Sequence, residues 1–414
     1  MLRPGWHAPG FPAKSADRAR SMGAGMHPAS ADVVIVGGAV IGSAIAYFLR
    51  REGFKGRVAV VEKDSSYQWC ATGRSVASIR QQFSTPENIR ISQFGVGFFK
   101  AIKQEFGPDA DIAFHERGYM IMATPEGRAT LERNIALQKN LGADTELLEP
   151  AEIAARFPWL STEGLGGAGW GRSGEGWIDP ASLLQLFRKG AIARGVDYVA
   201  GEVTAIARAG GRIEGVRLRD GGTIATGTVV CAAGWHSAKV AAMAGLSLPV
   251  APKKRLVFVV DCRAEFAGCG LMIDPSGLYF RPEGKFFLAG IAPPESEDPD
   301  AEDFEIDHTF FDARIWPGLA RRVPAMEALK VHSAWCCHYD VSTTDHNAIL
   351  GCHPEIPSFV MACGFSGHGL QQSPGVGRGI AELLAHGRYR TIDLTRFGYS
   401  RIVEGKPLLE SNVY

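Results

Sequence analysis

The sequence predicts an α/β protein with two sheets, and three observations support this prediction. A buried apolar strand leads through a glycine turn into a helix and then into a second buried strand. A β-meander follows in the middle of the chain, and later strands are rich in Val, Phe and Tyr. Strands that alternate with helices form a doubly wound sheet, whereas later runs of strands form a second one. We therefore expect a Rossmann-like α/β domain with a β-meander, and a second sheet built from the later strands.

Charge and cysteine content restrict the class of protein. The chain has 414 residues, with 44 Lys and Arg residues and 44 Asp and Glu residues. A neutral chain creates no global field that attracts nucleic acid, so we expect a small-molecule partner and no nucleic acid. The eight cysteines form no C-x-x-C pair, which argues against a disulfide framework and favours a reducing compartment. No metal is expected, because Cys352-His353 lacks a second pair of ligands.

The two ends of the chain are predicted to lie outside the domains. Residues 1–31 are basic and rich in Gly, Pro, Ser and Ala, which predicts a disordered extension and leaves open a targeting leader. The uncharged run 33–49 is too short and too rich in glycine for a membrane span. Residues 391–414 are predicted as a C-terminal tail. The expected location is cytoplasmic, or mitochondrial in a eukaryote.

Strands and helices alternate through the first half of the chain. Asp32–Gly37 and Arg57–Glu62 are apolar runs of strand length, and Ser43–Glu52 between them has helical spacing. Asp179-Pro180 combines an N-cap residue with proline at the first helical position, which predicts another helix start. The other elements predicted here are helices at Pro86–Phe106, Pro125–Leu141 and Pro150–Phe157 and a strand at Ala113–Ala123.

The second half is predicted to consist mainly of strands. Glycine pairs at Gly210-Gly211 and Gly221-Gly222 divide Val203–Ala232 into three short strands, which form the β-meander. The remaining predictions are strands at Val250–Cys262, Gly277–Ala289, Asn347–Gly351 and Phe359–Cys363, and a helix at Gly375–Leu384.

The turn Gly37-Gly38-Ala39-Val40-Ile41-Gly42 lies between strand and helix, where a G-x-G-x-x-G dinucleotide fingerprint is expected. Ala39 replaces the middle glycine, which adds one methyl group where the backbone approaches a phosphate. The helix N-terminus offers N–H groups and a positive dipole end to a pyrophosphate. Glu62 follows Gly42 by 20 residues, the spacing of the carboxylate that accepts hydrogen bonds from ribose hydroxyls.

The fingerprint alone does not distinguish NAD from FAD. A plain NAD dehydrogenase would continue with further βα units, whereas this chain continues with the meander and ends it in Val229–Gly234. A final glycine-rich segment, Gly364–Gly369, then precedes a helix. Binding segments scattered along the chain suit a long cofactor, so FAD is the preferred cofactor.

Several motifs together resemble the D-amino-acid oxidase superfamily of FAD enzymes, in the branch of sarcosine and glycine oxidases. The motifs are GGAVIG followed by VVEKD, GWIDP, VVCAAGW, LYFRPEGK and ACGFSGHGLQQSPGVGR. Within that branch, SAWCCHYDVSTTDHNAILG and GRYRTIDLTRFGYSR resemble more narrowly the FAD-dependent oxidoreductase domain-containing protein 1 group. The resemblance extends from about Asp32 to Tyr414.

This resemblance implies a fold and a chemistry. The FAD-binding domain, of the glutathione-reductase type, would comprise residues 32–100, 172–235 and 330–390. The substrate domain, an α+β domain with a large mixed sheet, would comprise residues 101–171 and 236–329. The implied reaction oxidises a C–N bond of an amino acid or a secondary or N-methylated amine, by hydride transfer to flavin N5 and hydrolysis of the imine. Oxygen or an electron carrier would accept the electrons. Eukaryotic members of the narrower group are tied to assembly of respiratory complex I, which leaves open a respiratory-chain or membrane-peripheral partner.

The cofactor-binding candidates come from four segments that match the family: the glycine turn, the end of the second strand with the loop after it, the meander region, and the last glycine-rich run. They are Gly37, Gly38, Ala39, Ile41, Gly42, Glu62, Lys63, Thr72, Gly73, Arg74, Ser75, Val203, Ala233, Gly234, Gly364, Gly367, His368, Gly369, Leu370 and Gln371. Non-covalent FAD is favoured, although Cys337 and His338 lie near the place where some sarcosine oxidases attach the flavin.

Two arginines are candidates for binding the substrate carboxylate. Arginine suits this task because it pairs with a carboxylate through two parallel hydrogen bonds. Arg80 falls where a sarcosine-oxidase-like arginine binds the carboxylate, and Arg281 is the second candidate; a surface ion pair is the alternative for either. The lysine that sarcosine oxidases carry after their GHGF-like run is Gln371 here. His338 and Tyr339 are expected to order a water or to line an aromatic cage, and a satisfied core histidine is the alternative for His338.

Two other functions remain open at this level. A flavin dehydrogenase of a 2-hydroxy acid shares the fold and the arginine that binds a carboxylate. A flavin-binding assembly factor for respiratory complex I would share the fold but not the chemistry.

Overall fold

The computed structural model describes residues 21–22, 27–411 and 413 of the chain. Most of the extension predicted at residues 1–31 lies outside these residues. Within it, however, Ser21–Met22 pair as a short strand and Ala31 donates a backbone hydrogen bond to Ala225. Ordered structure therefore begins ahead of the predicted boundary at Asp32.

The strands of the described residues are β1 (Ser21–Met22), β2 (Val33–Val36), β3 (Val58–Glu62), β4 (Ser78–Ile79), β5 (Tyr119–Ala123), β6 (Thr145–Leu148), β7 (Gly167–Gly171), β8 (Gly176–Trp177), β9 (Asp197–Ala200), β10 (Val203–Ala209), β11 (Arg212–Leu218), β12 (Thr223–Ala225), β13 (Val229–Cys231), β14 (Val250–Asp261), β15 (Leu271–Ile273), β16 (Tyr279–Glu283), β17 (Phe286–Gly290), β18 (Lys330–Ser342), β19 (Ile349–Cys352) and β20 (Phe359–Cys363).

The helices of the same residues are α1 (Val40–Arg51), α2 (Pro86–Lys100), α3 (Ile102–Phe106), α4 (Arg128–Asn140), α5 (Pro150–Arg156), α6 (Pro180–Ala193), α7 (Ser237–Met243), α8 (Trp316–Arg322), α9 (Gly369–His386) and α10 (Ser400–Val403). None of the helices in the described part of the chain combines the length and the apolarity needed to cross a membrane.

One sheet, here called the parallel sheet, has the strand order β1-β9-β3-β2-β13-β20-β19. Neighbouring strands are parallel except β19, which is antiparallel to β20. Val33 and Ile35 of β2 pack on one side with helices α1, α6 and α9, and Val34 and Val36 pack on the other side. The prediction of a strand buried on both faces is therefore confirmed.

The β-meander covers the second face of the parallel sheet. Strands β10, β11 and β12 are antiparallel neighbours, as predicted. Gly210 and Gly211 between β10 and β11 both have positive φ angles, 54° and 78°, which a tight two-residue hairpin turn requires. The end of the predicted range does not belong to the meander, because Val229–Cys231 pairs with β2 in the parallel sheet.

A second sheet, the large mixed sheet, has the order β18-β14-β17-β16-β15-β5-β7-β6, with β15 and β5 parallel and the other neighbours antiparallel. Met120, Met272 and Phe280 point into a core that includes residues of α5 and α8. The opposite face carries a smaller cluster that includes Tyr119 and Ile273. The predicted large mixed sheet is therefore present, and its second face borders the site described below.

Strand β18 was not predicted, and it is the edge strand of the large mixed sheet. It pairs with β14 along its whole length, from Val250 opposite Ser342 to Asp261 opposite Lys330. Residues 330–342 therefore lie in the large mixed sheet, whereas the predicted division includes them in the FAD-binding domain. That division stays a prediction.

Two predicted elements have different ends. The strand predicted at Ala113–Ala123 begins only at Tyr119, because Ala113 and Gly118 have positive φ angles that interrupt an extended chain. Helix α9 begins at Gly369 and continues through Pro374. Proline normally leaves the carbonyl four residues earlier without a donor, but here the Ser373 hydroxyl donates to the Leu370 carbonyl over 2.8 Å.

A glycine substitution tests the close approach of helix α1 to the turn before it. A Cβ on Gly42 would lie 1.9 Å from the Gly37 carbonyl oxygen, so Gly42→Ala should lower the free energy of unfolding by about 1–3 kcal/mol or more. Gly97→Ala in α2 is the control, since a Cβ there would meet open space. This substitution should raise the free energy of unfolding by about 0.5–1 kcal/mol. Urea denaturation measures both, and equal stability of the two variants would contradict the tight turn.

Candidate cofactor and substrate site

A cavity of about 520 Å³ lies at the carboxyl ends of β2, β3, β13 and β20 and extends to β18 of the large mixed sheet. Ligands of open α/β sheets bind at this edge of the strands. Many of the predicted cofactor and catalytic residues line it: Gly37, Ala39, Ile41, Glu62, Lys63, Thr72, Ser75, Val203, Ala233, Gly234, His338, Tyr339, Gly367, Gly369 and Leu370. The predicted residues that are not among the lining residues are Gly38, Gly42, Gly73, Arg74, Gly364, His368, Gln371, Arg80 and Arg281.

Glu62 is held at the cavity by two backbone groups. Its Oε2 accepts from the Gly38 N–H over 2.7 Å and its Oε1 from the Asp64 N–H over 2.8 Å. Burial raises the pKa of the Glu62 carboxyl, and the two backbone N–H groups oppose that rise. A carboxylate oxygen accepts two hydrogen bonds, so each oxygen keeps a lone pair for a ligand hydroxyl. These residues fit the ribose of a dinucleotide.

The glycine turn fits a pyrophosphate. Gly37 has a φ angle of 101°, and a Cβ there would lie 2.3 Å from the Ala232 carbonyl oxygen. Ala39 is the N-cap of α1 and provides no side-chain cap, while the Val40 N–H points to the Thr72 hydroxyl at 3.3 Å. Helix α1 thus begins at the cavity wall with its positive end exposed to a ligand.

Arg74 has a different position from the one predicted for a cofactor ligand. It donates through Nε to the Gln68 carbonyl over 2.9 Å and through Nη1 to the Cys336 carbonyl over 3.0 Å. Its guanidinium carbon lies 4.6 Å from the Trp69 ring centre and 4.7 Å from that of Phe304. The Arg74 side chain therefore connects the loop after β3 to the backbone of β18.

The segment before α9 forms another wall. Gly367 has a φ angle of 95°, and a Cβ there would lie 2.4 Å from the Tyr339 ring. Asp340 accepts from the Gly364 N–H over 2.8 Å, and burial raises the pKa of Asp340 to about 6. His338 lies between the rings of Trp235 and Phe304, with ring centres 4.8 and 4.6 Å away. Burial lowers the pKa of His338, so its imidazole is neutral at pH 7 within this aromatic cage.

Arg80 is buried next to the start of α9. Its backbone N–H donates to Gln371 Oε1 over 2.8 Å, and its Nη2 lies 3.0 Å from His368 Nε2. Burial and then the Arg80 charge lower the pKa of His368 to about 3, so the neutral ring accepts from the guanidinium. The guanidinium carbon also lies 4.6 Å from the Phe83 ring centre and 5.8 Å from that of Tyr119.

Arg281 makes many bonds within the protein. Its Nε and Nη2 donate to the Val76 carbonyl over 3.1 and 2.9 Å, and its Nη1 donates to the Pro282 carbonyl over 2.8 Å and to Glu283 over 2.5 Å. The two bonds to Val76 connect β16 of the large mixed sheet to the loop after β3, so Arg281 has a structural role there.

Glu175 was missed by the sequence reasoning. It is 1% exposed, and it accepts from the Gln81 N–H over 2.6 Å and from Gln82 Nε2 over 2.7 Å. Burial raises the pKa of Glu175 to about 7, and the nearby Arg80 charge opposes that rise. The only local signal was one acid within the glycine-rich run Gly171–Gly176, which alone does not indicate burial.

The fold and the cavity together define a dinucleotide-binding protein of the Rossmann class. Comparison with protein-family models gives a narrower assignment, because the DAO model, described as FAD dependent oxidoreductase, matches residues 32–383. The chain belongs to this family, and its cofactor is FAD.

Individual relatives agree with this assignment. The chain is 41% identical to FAD-dependent oxidoreductase domain-containing protein 1 of Xenopus laevis, over 93% of this chain and 85% of the relative. It is 27% identical to mitochondrial sarcosine dehydrogenase of Mus musculus, over 90% of this chain and 42% of the relative. The crystal structure of L-proline dehydrogenase from P. horikoshii has a TM-score of 0.82 at 26% identity, and covers 92% of this chain and 100% of its own.

Glu62→Ala should weaken FAD retention, because the ribose hydroxyls would lose an ionised acceptor worth about 1.5–3 kcal/mol. Glu62→Gln should have a smaller effect, since one oxygen acceptor remains. Fluorescence titration of the apoprotein with FAD measures the dissociation constants. If both variants bind FAD as tightly as the wild type, Glu62 does not bind the ribose.

Glu175 should make stability depend on pH. A carboxyl whose pKa is raised on folding stabilises the protein fully below its unfolded pKa, near 4.5, and this contribution disappears as the pH rises through about 7. The shift corresponds to about 3 kcal/mol. Glu175→Gln keeps a neutral side chain at every pH, so its free energy of unfolding should not fall in this way as the pH rises. Urea unfolding of the wild type and the variant between pH 4.5 and 8 measures this difference. Parallel pH profiles of the two proteins would be inconsistent with a buried, titrating Glu175.

Proposed function

We propose that this protein is an FAD-dependent oxidase or dehydrogenase that oxidises the C–N bond of an amino acid or of a secondary or N-methylated amine with a carboxylate. The observation that carries the proposal is Arg80, a guanidinium 6% exposed, held by a neutral histidine and two aromatic rings beside the FAD cavity. A guanidinium binds a carboxylate through two parallel hydrogen bonds, so Arg80 suits a substrate that carries a carboxylate.

The relatives support an amine that carries a carboxylate. Sarcosine dehydrogenase and L-proline dehydrogenase are named for substrates that each contain a secondary amine and a carboxylate. FAD, when bound, would supply the two-electron acceptor for oxidation of the C–N bond, with oxygen or an electron carrier as the final electron acceptor. Water would hydrolyse the resulting imine.

The residues of this chain would bind and orient the reactants. Glu62 would hold the ribose, the turn at Gly37 and the start of α1 would hold the pyrophosphate, and the backbone from Gly367 to Leu370 would contact the flavin. Arg80 would hold the substrate carboxylate and so present the amine end to the flavin. Tyr339 and neutral His338 would exclude water from the cavity without adding charge.

Non-covalent FAD binding is part of this proposal. Cys337 is 3% exposed, and its Sγ points to the Ala71 carbonyl oxygen at 3.6 Å. Burial raises the pKa of the Cys337 thiol well above its usual range, which disfavours the thiolate that attack on a flavin would need. Acid precipitation should therefore release FAD into the supernatant.

Arg80→Ala should weaken substrate binding without loss of FAD. A substrate carboxylate left without its buried partner costs about 3–5 kcal/mol. Arg80→Lys should recover only part of this loss, because an ammonium cannot form the planar two-bond fork. Stopped-flow reduction of the flavin under anaerobic conditions, with sarcosine, N-methyl amino acids, L-proline and D-amino acids, measures affinity and rate.

The exposed Arg90→Ala in α2 is the matched control and should leave both quantities unchanged. Unchanged affinity and rate in Arg80→Ala would remove Arg80 from the site. If none of these amines reduces the wild-type flavin but a 2-hydroxy acid does, the reaction is the oxidation of an alcohol. If nothing reduces the flavin, a non-catalytic role as a flavin-binding assembly factor becomes the better proposal.

A further inference from the structure

The acidic loop, defined here as residues 298–306, follows strand β17 and carries five carboxylates. Its first part is attached to β14 of the large mixed sheet. The Ala301 N–H donates to the Pro252 carbonyl over 3.0 Å, and Asp298 accepts two parallel hydrogen bonds from Arg255, each over 2.8 Å. A backbone bond and a bidentate ion pair therefore fix the start of the loop.

The second part of the loop, residues 302–306, is attached by side chains. Within the described part of the chain, no hydrogen bond between backbone groups joins these residues to another segment. Glu302 pairs with Lys239 of α7 over 2.5 Å, and Asp303 pairs with Lys254 of β14 over 2.7 Å. Ion pairs at the surface contribute little to stability, so this part of the loop can detach at a low cost.

Phe304, in this second part, lines the FAD cavity together with Trp69 and Lys239. The Phe304 ring centre lies 4.6 Å from that of Trp69. The guanidinium carbon of Arg74 lies 4.7 Å from the Phe304 ring centre and 4.6 Å from that of Trp69, so the cation contacts both rings. These contacts connect the acidic loop to the loop after β3, and Lys239 connects it to α7.

Phe304 also covers His338, whose ring nitrogens are poorly satisfied. His338 is 1% exposed, and neither of its ring nitrogens makes a hydrogen bond of normal geometry with a residue that the structure describes. Burial lowers the pKa of His338, and the Asp303 backbone only opposes that shift. A buried polar group without a partner is unfavourable. The closed arrangement therefore has a cost that opening of the loop to water would relieve.

We propose that residues 302–306 are a lid of the FAD cavity, latched by the Glu302–Lys239 ion pair, and that FAD enters and leaves when this lid opens. The proposal depends on FAD as the cofactor and not on the identity of the substrate. Ala301, bonded to β14, is one end of the lid, and Ile306, packed against the core of the large mixed sheet, is the other.

A latch differs from a cofactor ligand in its kinetic effect. The Glu302–Lys239 pair joins only groups of the protein, so it stabilises the closed lid both before and after FAD binds. Breaking it should therefore raise the rates of FAD binding and release together, with little change in the dissociation constant. Loss of a direct contact with FAD would instead raise the release rate and the dissociation constant in proportion.

The experiment measures FAD exchange in the whole protein. Release is followed by dilution of protein loaded with radiolabelled FAD into excess unlabelled FAD, and binding by stopped-flow mixing of apoprotein with saturating FAD. Lys239→Glu and Glu302→Lys should each raise both rates about two- to fivefold, the range that an exposed ion pair allows. The double variant Lys239→Glu/Glu302→Lys reverses the pair and should return both rates toward those of the wild type.

Arg156→Glu is the matched control. Arg156 of α5 forms an exposed ion pair with Glu146 over 3.1 Å, and neither residue lines the FAD cavity, so both rates should stay unchanged. Phe304→Ala removes the ring that contacts Trp69 and Arg74 without a change in charge, and it should raise the release rate about tenfold.

Faster binding and release in both single charge variants, with an unchanged dissociation constant and recovery in the double variant, support the lid. Rates within about twofold of the wild type in Lys239→Glu and Glu302→Lys overturn the latch. A release rate that rises in proportion to the dissociation constant, with no recovery in the double variant, also overturns it, because these residues would then act on FAD itself. An unchanged release rate in Phe304→Ala would show that the loop does not close the cavity.

Discussion

Ionisable side chains buried where the large mixed sheet meets residues 76–82 are the constraint on which the rest of the structure depends. Arg80, Glu175 and Arg281 are each less than a tenth exposed, and a charge in an apolar interior is costly unless it is hydrogen-bonded. Arg281 meets this requirement with the backbone of the loop after β3, and Glu175 meets it with Gln81 and Gln82. The same bonds connect residues 76–82 to β16 and to the loop after β7, so this part of the site keeps its shape through groups that must be satisfied there.

The glycines around β7 make this arrangement possible. A Cβ on Gly169 would lie 2.7 Å from Gln82 Oε1, and one on Gly171 would lie 1.9 Å from Glu175 Oε2. Any larger residue would displace the polar side chains that position the segment carrying Arg80. Glycine at these positions is required for the close packing of polar groups against a strand.

The nucleotide side of the molecule was predicted well because its signals are local. Strand, glycine turn, helix, strand and Glu62 stand in one continuous stretch, and each position has a specific steric or charge requirement. The predictions that failed depended on distant partners. Strand β18 has no clear alternation and is defined by its pairing with β14, and helix α9 continues through Pro374 because a neighbouring hydroxyl replaces the missing donor.

The sequence by itself determined the dinucleotide fold, the cofactor class through its family motifs, and Arg80 as a candidate for binding a carboxylate. These depend on residue type and spacing within short segments, which the chain carries without reference to its fold. Only the tertiary structure decided that Arg281 bonds to Val76 and Glu283, that Glu175 is buried, and that Val413 packs against the cluster that contains Tyr119. Such contacts join residues far apart in sequence, and burial and charge balance arise only when those residues meet.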